Sequence, residues 1–300
     1  MKKNLRNSFP LIKRVRGYRL YTQNGEKYLD FCQQGGAAIL GSKPRGFSLA
    51  LKNEIEKSNY YNYPSHYLKK ISKAIFKLSG LSENSLINIA YFKTRKEARE
   101  HISKIERKNY SLRYSLHYSM DKEISPDFSH DVSKKNNFIY LWFPFCGQTL
   151  GYYLENCDYV LPVLPLPGDF APIVLLSKKN VESNYVPSPV LLAGLNSIIY
   201  SLIKFMEEDP YINWREYTSM LNKIWEVKGP YLIPVYEEYL HESIFSSFLK
   251  NKIVIQPCYG RMSALPSEIS EGERILFLET AYNVIRSLPH GTTGSFNTDR

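Results

Sequence analysis

Residues 17–41 read GYRLYTQNGEKYLDFCQQGGAAILG, and the fold turns on how this stretch is read. An aromatic-rich run, 18–21, meets a second apolar run, 28–31, across Gln23-Asn24-Gly25. Asn24-Gly25 is the dipeptide best able to supply the two positive φ angles of a type I′ turn, so the spacing predicts a β-hairpin. Gly35-Gly36 then breaks the strand, and a further apolar step, 37–40, ends at Gly41.

The hairpin, the Leu29-Asp30-Phe31 triplet, the glycine pair and Leu40-Gly41 with Pro44 just beyond resemble the N-terminal segment of class III aminotransferases. These are pyridoxal-phosphate (PLP) enzymes of fold type I. An ordinary hairpin is the alternative at this point, and the rest of the chain decides between them.

At 300 residues the chain can bury a sizeable core and divide into two domains. Its 43% hydrophobic and 23% charged residues are those of a globular protein rather than a disordered one. The formal charge of +10 invites an acidic partner, but Lys and Arg are dispersed along the sequence, so nucleic acid is not expected. Cys32, Cys146, Cys157 and Cys258 form no CxxC pair, which argues against a disulfide framework and a zinc site, and no metal is expected. Residues 1–19 are charged throughout and lack a signal-peptide core; a cytoplasmic location is expected. The most membrane-like stretch, 190–206, is short and interrupted by Asn196 and Lys204, so it reads as a buried helix rather than a span.

Along the chain, Leu49, Ala50 and Ile55 predict a helix over 47–57, and the tyrosine-rich 58–65 reads as a packed loop. Leu68, Ile71, Ile75 and Leu78 share one face of a second helix stopped by Ser79-Gly80. A buried strand over 86–92 leads into a helix over 94–107, the kind of junction at which α/β proteins hold phosphates. Residues 109–137 are polar and weakly periodic, and 138–145 (FIYLWFPF) read as a buried strand. A composition break at 207–210 separates a helix over 212–225, strands over 229–236 and 252–256 with a helix at 237–249 between them, and a last helix over 271–288. The expected domains are an N-terminal arm and hairpin (1–50), a shortened large α/β domain (51–208), a small C-terminal α+β domain (209–288) and a polar tail (289–300). The expected fold is a three-layer α/β large domain with a mostly parallel sheet and a smaller α+β domain.

The resemblance extends in order to about residue 288, and it implies where the chemistry should lie. Glu97, Ala98 and Glu100 match the family's helix start, but Thr94-Arg95 replace the Ser-Gly pair that lets backbone N–H groups approach the cofactor phosphate. His117-Tyr118 are a faint echo of the aromatic-His pair that stacks on the cofactor ring. Trp142-Phe143 fall where the family has Asp-Glu, whose Asp holds the pyridine nitrogen protonated; Gly147 and Gly151 match the glycines that follow. Asp158 matches a Pro-Asp-Ile segment, which places the Schiff-base lysine near Leu164, inside an interval from Asp158 to Ser177 that contains no lysine. Lys178 and Lys179 come after the next strand. Of the family's Thr-Gly loop only Pro189 remains, and Arg261 stands where the family presents an arginine to a substrate carboxylate.

Scaffold features are kept while lysine, aspartate and phosphate glycine are lost together. The leading expectation is therefore a non-catalytic aminotransferase-like protein without cofactor, acting as a homodimer or as partner of an intact aminotransferase homologue. Its alternatives are a PLP enzyme with an atypical site, using Thr94 and Arg95 for phosphate, and a protein that binds a small anion.

Overall fold

The computed structural model describes residues 9–82, 85–114, 137–166 and 170–288. Ile12–Arg16 (β1), Arg19–Thr22 (β2) and Lys27–Asp30 (β3) form an antiparallel meander, so the predicted hairpin is present with one more strand before it. The turn differs from the type I′ expectation: Gly25 takes φ 82° and Asn24 does not turn left-handed. Gly25 N–H donates to the Thr22 carbonyl at 3.2 Å and Thr22 N–H to the Glu26 carbonyl at 2.9 Å. Three residues thus close the loop as a type I turn followed by a left-handed glycine. The Thr22 hydroxyl accepts from Glu26 N–H at 3.0 Å and fixes that geometry.

Phe47–Glu56 (α1), Tyr67–Ser79 (α2), Asn88–Phe92 (β4), Arg95–Glu106 (α3), Ser111–Tyr114 (β5), Phe138–Trp142 (β6), Leu150–Asn156 (α4), Tyr159–Pro162 (β7), Ile173–Ser177 (β8) and Pro189–Glu207 (α5) follow. Then come Thr218–Leu221 (α6), Trp225–Lys228 (β9), Tyr231–Pro234 (β10), His241–Lys250 (α7), Ile253–Val254 (β11), Ser263–Ala264 (β12) and Glu271–Ser287 (α8). These elements group into two units: one takes the described residues up to Lys43 and from Asp209 onward, the other Pro44–Glu208.

In the second unit a five-stranded sheet runs in the order β4-β8-β7-β6-β5. β5, β6 and β7 pair in parallel, but β8 is antiparallel to both its neighbours, β7 and β4. The sheet is therefore mixed rather than mostly parallel: β4 to β7 share a direction, and the reversed β8 lies among them. The reversal follows from the connection, because the chain between β7 and β8 contains no described helix that could carry it back across the sheet. Ser188 caps α5, Pro189 occupies its first turn, and α5 packs against α1 and α2. Among the described residues α5 is the one helix long and apolar enough to cross a membrane, and ten of its residues are buried in this unit. Gly151 in α4 has no substitute, since a Cβ there would lie 2.3 Å from the Ser79 carbonyl oxygen at the end of α2.

The face of α1 is not the one its leucine and isoleucine suggest. Leu49 and Ile55 point to solvent while Phe47, Ala50, Leu51 and Glu54 turn inward, and Glu54 is buried. Three hydrogen-bond donors make that burial tolerable, as described below.

In the first unit the sheet order is β1-β2-β3-β11, with β11 parallel to β3, and a second sheet runs β12-β10-β9. Phe31, just beyond β3, stacks on Phe277 of α8 with ring centroids 4.1 Å apart, and Trp214 meets both rings edge-on. Gln33–Gly36 turns sharply after β3, and Gly36 takes φ 93° where a Cβ would lie 2.6 Å from the Tyr231 ring. The helix expected over 212–225 is broken: Ile212–Tyr217 is 3₁₀, α6 is one turn, and Trp225 opens β9.

Candidate functional site

The carboxyl ends of β4, β6 and β7 and the start of β8 lie on one edge of the sheet, since Phe92 pairs with Ile173 and Trp142 with Pro162. In open α/β sheets that edge is where ligands bind. Three places singled out in the sequence gather there: Thr94-Arg95 just beyond β4, Trp142 at the end of β6, and Leu164 two residues beyond β7.

Trp142 and Leu164 are both buried at this edge, and the backbone links their neighbourhoods. Val163 N–H donates to the Trp142 carbonyl at 2.7 Å, then Leu164 N–H to the Pro162 carbonyl at 3.1 Å and Leu166 N–H to the Leu164 carbonyl at 2.8 Å. These tight turns fold the chain back on the end of the sheet. The Trp142 indole is 1% exposed, Phe143 2% and Leu164 9%. The indole N–H donates to the Gln148 carbonyl at 3.2 Å, which satisfies its one polar atom inside the chain. The sequence carries no signal for that partner.

At the end of β4, Thr94 is the N-cap of α3, and its hydroxyl accepts from Glu97 N–H at 3.1 Å. The Glu97 carboxylate reaches one residue further back than a standard capping box and accepts from Lys93 N–H at 3.1 Å. The positive end of α3 therefore already has a carboxylate of its own. Arg95 is half-buried in the first turn of the helix. Lys93 also stands at this edge, its Nζ 5.7 Å from the centre of the Tyr185 ring, and β8 separates β4 from β7.

Lys178 and Lys179 lie at the opposite edge, about 15 Å away by the rise of β8. Lys179 Nζ bonds Glu106 at 2.8 Å and faces Asp158 at 3.5 Å, while the Tyr159 hydroxyl donates to Glu106 at 2.6 Å. The Glu106 bond raises the Lys179 pKa and Lys179 lowers that of Glu106, so the amine is held as an ammonium in a structural ion pair. Arg261 belongs to the other unit, exposed in the turn that its N–H closes on the Cys258 carbonyl at 3.2 Å. His117-Tyr118 and the tail 289–300 lie outside the described residues.

Transaminases are among the solved structures similar to this chain. The ornithine aminotransferase PY00104 from Plasmodium yoelii superposes with a TM-score of 0.63 at 15% identity, over 92% of this chain and 93% of that one. An omega-transaminase from Sphaerobacter thermophilus gives 0.64 at 8% identity over 92% and 91%, and an S-selective transaminase from Arthrobacter sp. gives 0.66 at 12% over 95% and 95%. The chain has the aminotransferase fold. By sequence, an uncharacterized protein of Borreliella burgdorferi (strain ATCC 35210 / DSM 4680 / CIP 102532 / B31) is 24% identical over 279 residues, 89% of this chain and 88% of its own length. No family model matches the sequence.

A PLP site needs an amine for the aldimine, an acid beneath the pyridine nitrogen and open backbone donors for the phosphate. The aminotransferase-like fold of this chain offers a buried isobutyl group, a buried indole that can only donate, and a helix start faced by Glu97. At the positions that the sequence resemblance assigns, these residues do not fit the cofactor.

Proposed function

We propose that this chain is a non-catalytic relative of class III aminotransferases: a three-layer large domain and a smaller α+β domain kept as a scaffold, cytoplasmic and without PLP. The observation that supports it is the burial of Trp142 and Leu164 on the ligand-binding edge, since the sequence resemblance aligns these two with the acid and the lysine. Assembly as a homodimer, or as a heterodimer with an intact aminotransferase, belongs to the same proposal. β6 and β7 are buried within their own unit and Ile39 is fully buried, so assembly would use other surfaces.

A displaced-lysine enzyme is the competing possibility, and Lys93 is the residue at the correct edge to serve it. Borohydride reduction in the presence of PLP, followed by peptide mass spectrometry, separates the two. Scattered substoichiometric labelling of surface lysines is expected. Stoichiometric labelling of one lysine, Lys93 or Lys178 for instance, would show a working site and end the proposal.

A further inference from the structure

The loop between α1 and α2, expected to be packed, stands in solvent. Tyr60, Tyr61 and Tyr63 are 52%, 61% and 68% exposed. Their rings form a row, with centroids 5.0 Å apart between Tyr60 and Tyr61 and 6.4 Å between Tyr61 and Tyr63. Buried Glu54 on α1 holds the loop in place, accepting from Lys57 Nζ at 2.9 Å, Asn59 Nδ2 at 2.8 Å and the Tyr67 hydroxyl at 3.0 Å. Both ends of the loop are pinned to one carboxylate while the rings between them face water.

The loop runs directly into α2, whose outer face is cationic. Lys69, Lys73 and Lys77 recur at every fourth residue with Lys70 beside them, all exposed and opposite the buried Ile71 and Ile75. Among the described residues none of the four makes an ion pair, although Lys57 and Lys52 on the neighbouring helix do. Residues 57–82 contain no Asp or Glu. Lys70 Nζ lies 5.2 Å over the ring of Tyr67, where the loop enters α2. The sequence-level dispersal of Lys and Arg conceals this gathering on one helix face.

Unneutralised lysines attract phosphates, and exposed rings stack on unpaired bases of any identity. A duplex would offer the phosphates but hide the base faces, and an acidic peptide would satisfy the lysines but leave the tyrosines unused. We propose that the tyrosine row and the lysine face of α2 together bind single-stranded nucleic acid, the lysines along the phosphates and the tyrosines against the bases. The net charge of +10 favours the encounter.

Fluorescence anisotropy of a labelled oligothymidylate of about 16 nucleotides, titrated with the full chain at several salt concentrations, tests this. If four lysines engage, log K should fall with log salt at a slope of about −3, and Lys73→Gln with Lys77→Gln should reduce the slope by about 1.4. Tyr61→Ala should weaken binding at least about fivefold and leave the slope unchanged. All three positions are exposed, and circular dichroism checks that the variants stay folded. The proposal fails if nothing binds at about 50 mM salt, if Tyr61→Ala has no effect, or if a duplex binds as tightly. It fails equally if phosphatidylserine vesicles bind the face and the oligonucleotide does not displace them.

Discussion

Trp142→Asp, which puts an acid where the sequence resemblance expects one, is expected to unfold most of the sheet unit rather than to create a cofactor site. The indole is 1% exposed at the end of a strand buried from Ile139 onward. Truncating a buried tryptophan costs about 3–5 kcal/mol through lost contacts and the cavity left behind. A carboxyl group at that buried position adds a desolvation cost of about 1–3 kcal/mol even if it stays protonated. The sum rivals the whole stability of an ordinary domain, about 5–15 kcal/mol. Trp142→Phe keeps most of the volume but leaves the Gln148 carbonyl without its donor, and should cost about 1–3 kcal/mol. Thermal melts of the two variants check the difference. An aspartate variant melting with the wild type would mean that this edge is an open cleft.

Glu273→Gln should cost the hairpin-bearing unit about 2–4 kcal/mol, and the wild type should show part of that loss on acidification. One Glu273 oxygen accepts from Arg19 Nε at 2.8 Å and Lys27 Nζ at 3.0 Å, the other from Arg19 Nη2 at 2.5 Å and Ser270 N–H at 2.9 Å. The Ser270 hydroxyl returns the capping bond to Glu273 N–H at 3.3 Å, so one side chain both starts α8 and fastens β2 and β3 to it. Burial pushes this carboxyl up, but Arg19, Ser270 and Lys27 together outweigh burial and hold its pKa at about 2. With the folded pKa depressed, the stabilisation is fully present above the ordinary value of 4.5 and is lost as pH falls toward 2. Solvent screening at Arg19, which is a quarter exposed, limits the acid effect to about 2 kcal/mol.

Asp30 acts in the opposite sense. Its burial raises the pKa to about 6, against the Gln33 and Cys32 N–H groups that favour the charged form. Its contribution is present below the ordinary 3.8 and is lost as pH rises through 6. Urea unfolding followed by tryptophan fluorescence at pH 3, 5 and 7 resolves both (about one measurement per regime). Glu273→Gln should flatten the acid limb, and Asp30→Asn should flatten the decline in stability between pH 3.8 and about 6. An acid limb unchanged in Glu273→Gln would place the effect elsewhere.

Hydrophobic period and helix punctuation carried much of the fold. The hairpin, α2 with its Gly80 stop, β4 into α3, β6, α5 and α8 are all legible because each has a buried face or a cap written locally. The elements that were missed lack such marks. β1 is an edge strand exposed along its whole length, so no alternation betrays it, and β5 is four residues in a polar stretch. Trp225 to Lys228 continue the apolar spacing of residues 212–225, and only their pairing with β10 makes them a strand. The buried face of α1 could not be read because Glu54 depends on Asn59 and Tyr67, partners beyond its own helix.

At the candidate site the sequence showed what is missing but not what replaced it. The absence of lysine between Asp158 and Ser177 is plain in the letters. That Trp142 and Leu164 come to the same sheet edge and are buried there depends on the β6–β7 register and the turns after Pro162, which no local pattern encodes. The exposure of the tyrosine loop was hidden in the same way. Rings that read as core formers are held outward by a carboxylate on the preceding helix.

The most direct measurement is retention of PLP. Purified protein is incubated with excess PLP, desalted, and its absorbance compared with that of a bona fide transaminase treated alongside. A filled site leaves the protein fraction free of the cofactor chromophore; one equivalent of PLP eluting with the chain, and released only on denaturation, would contradict it.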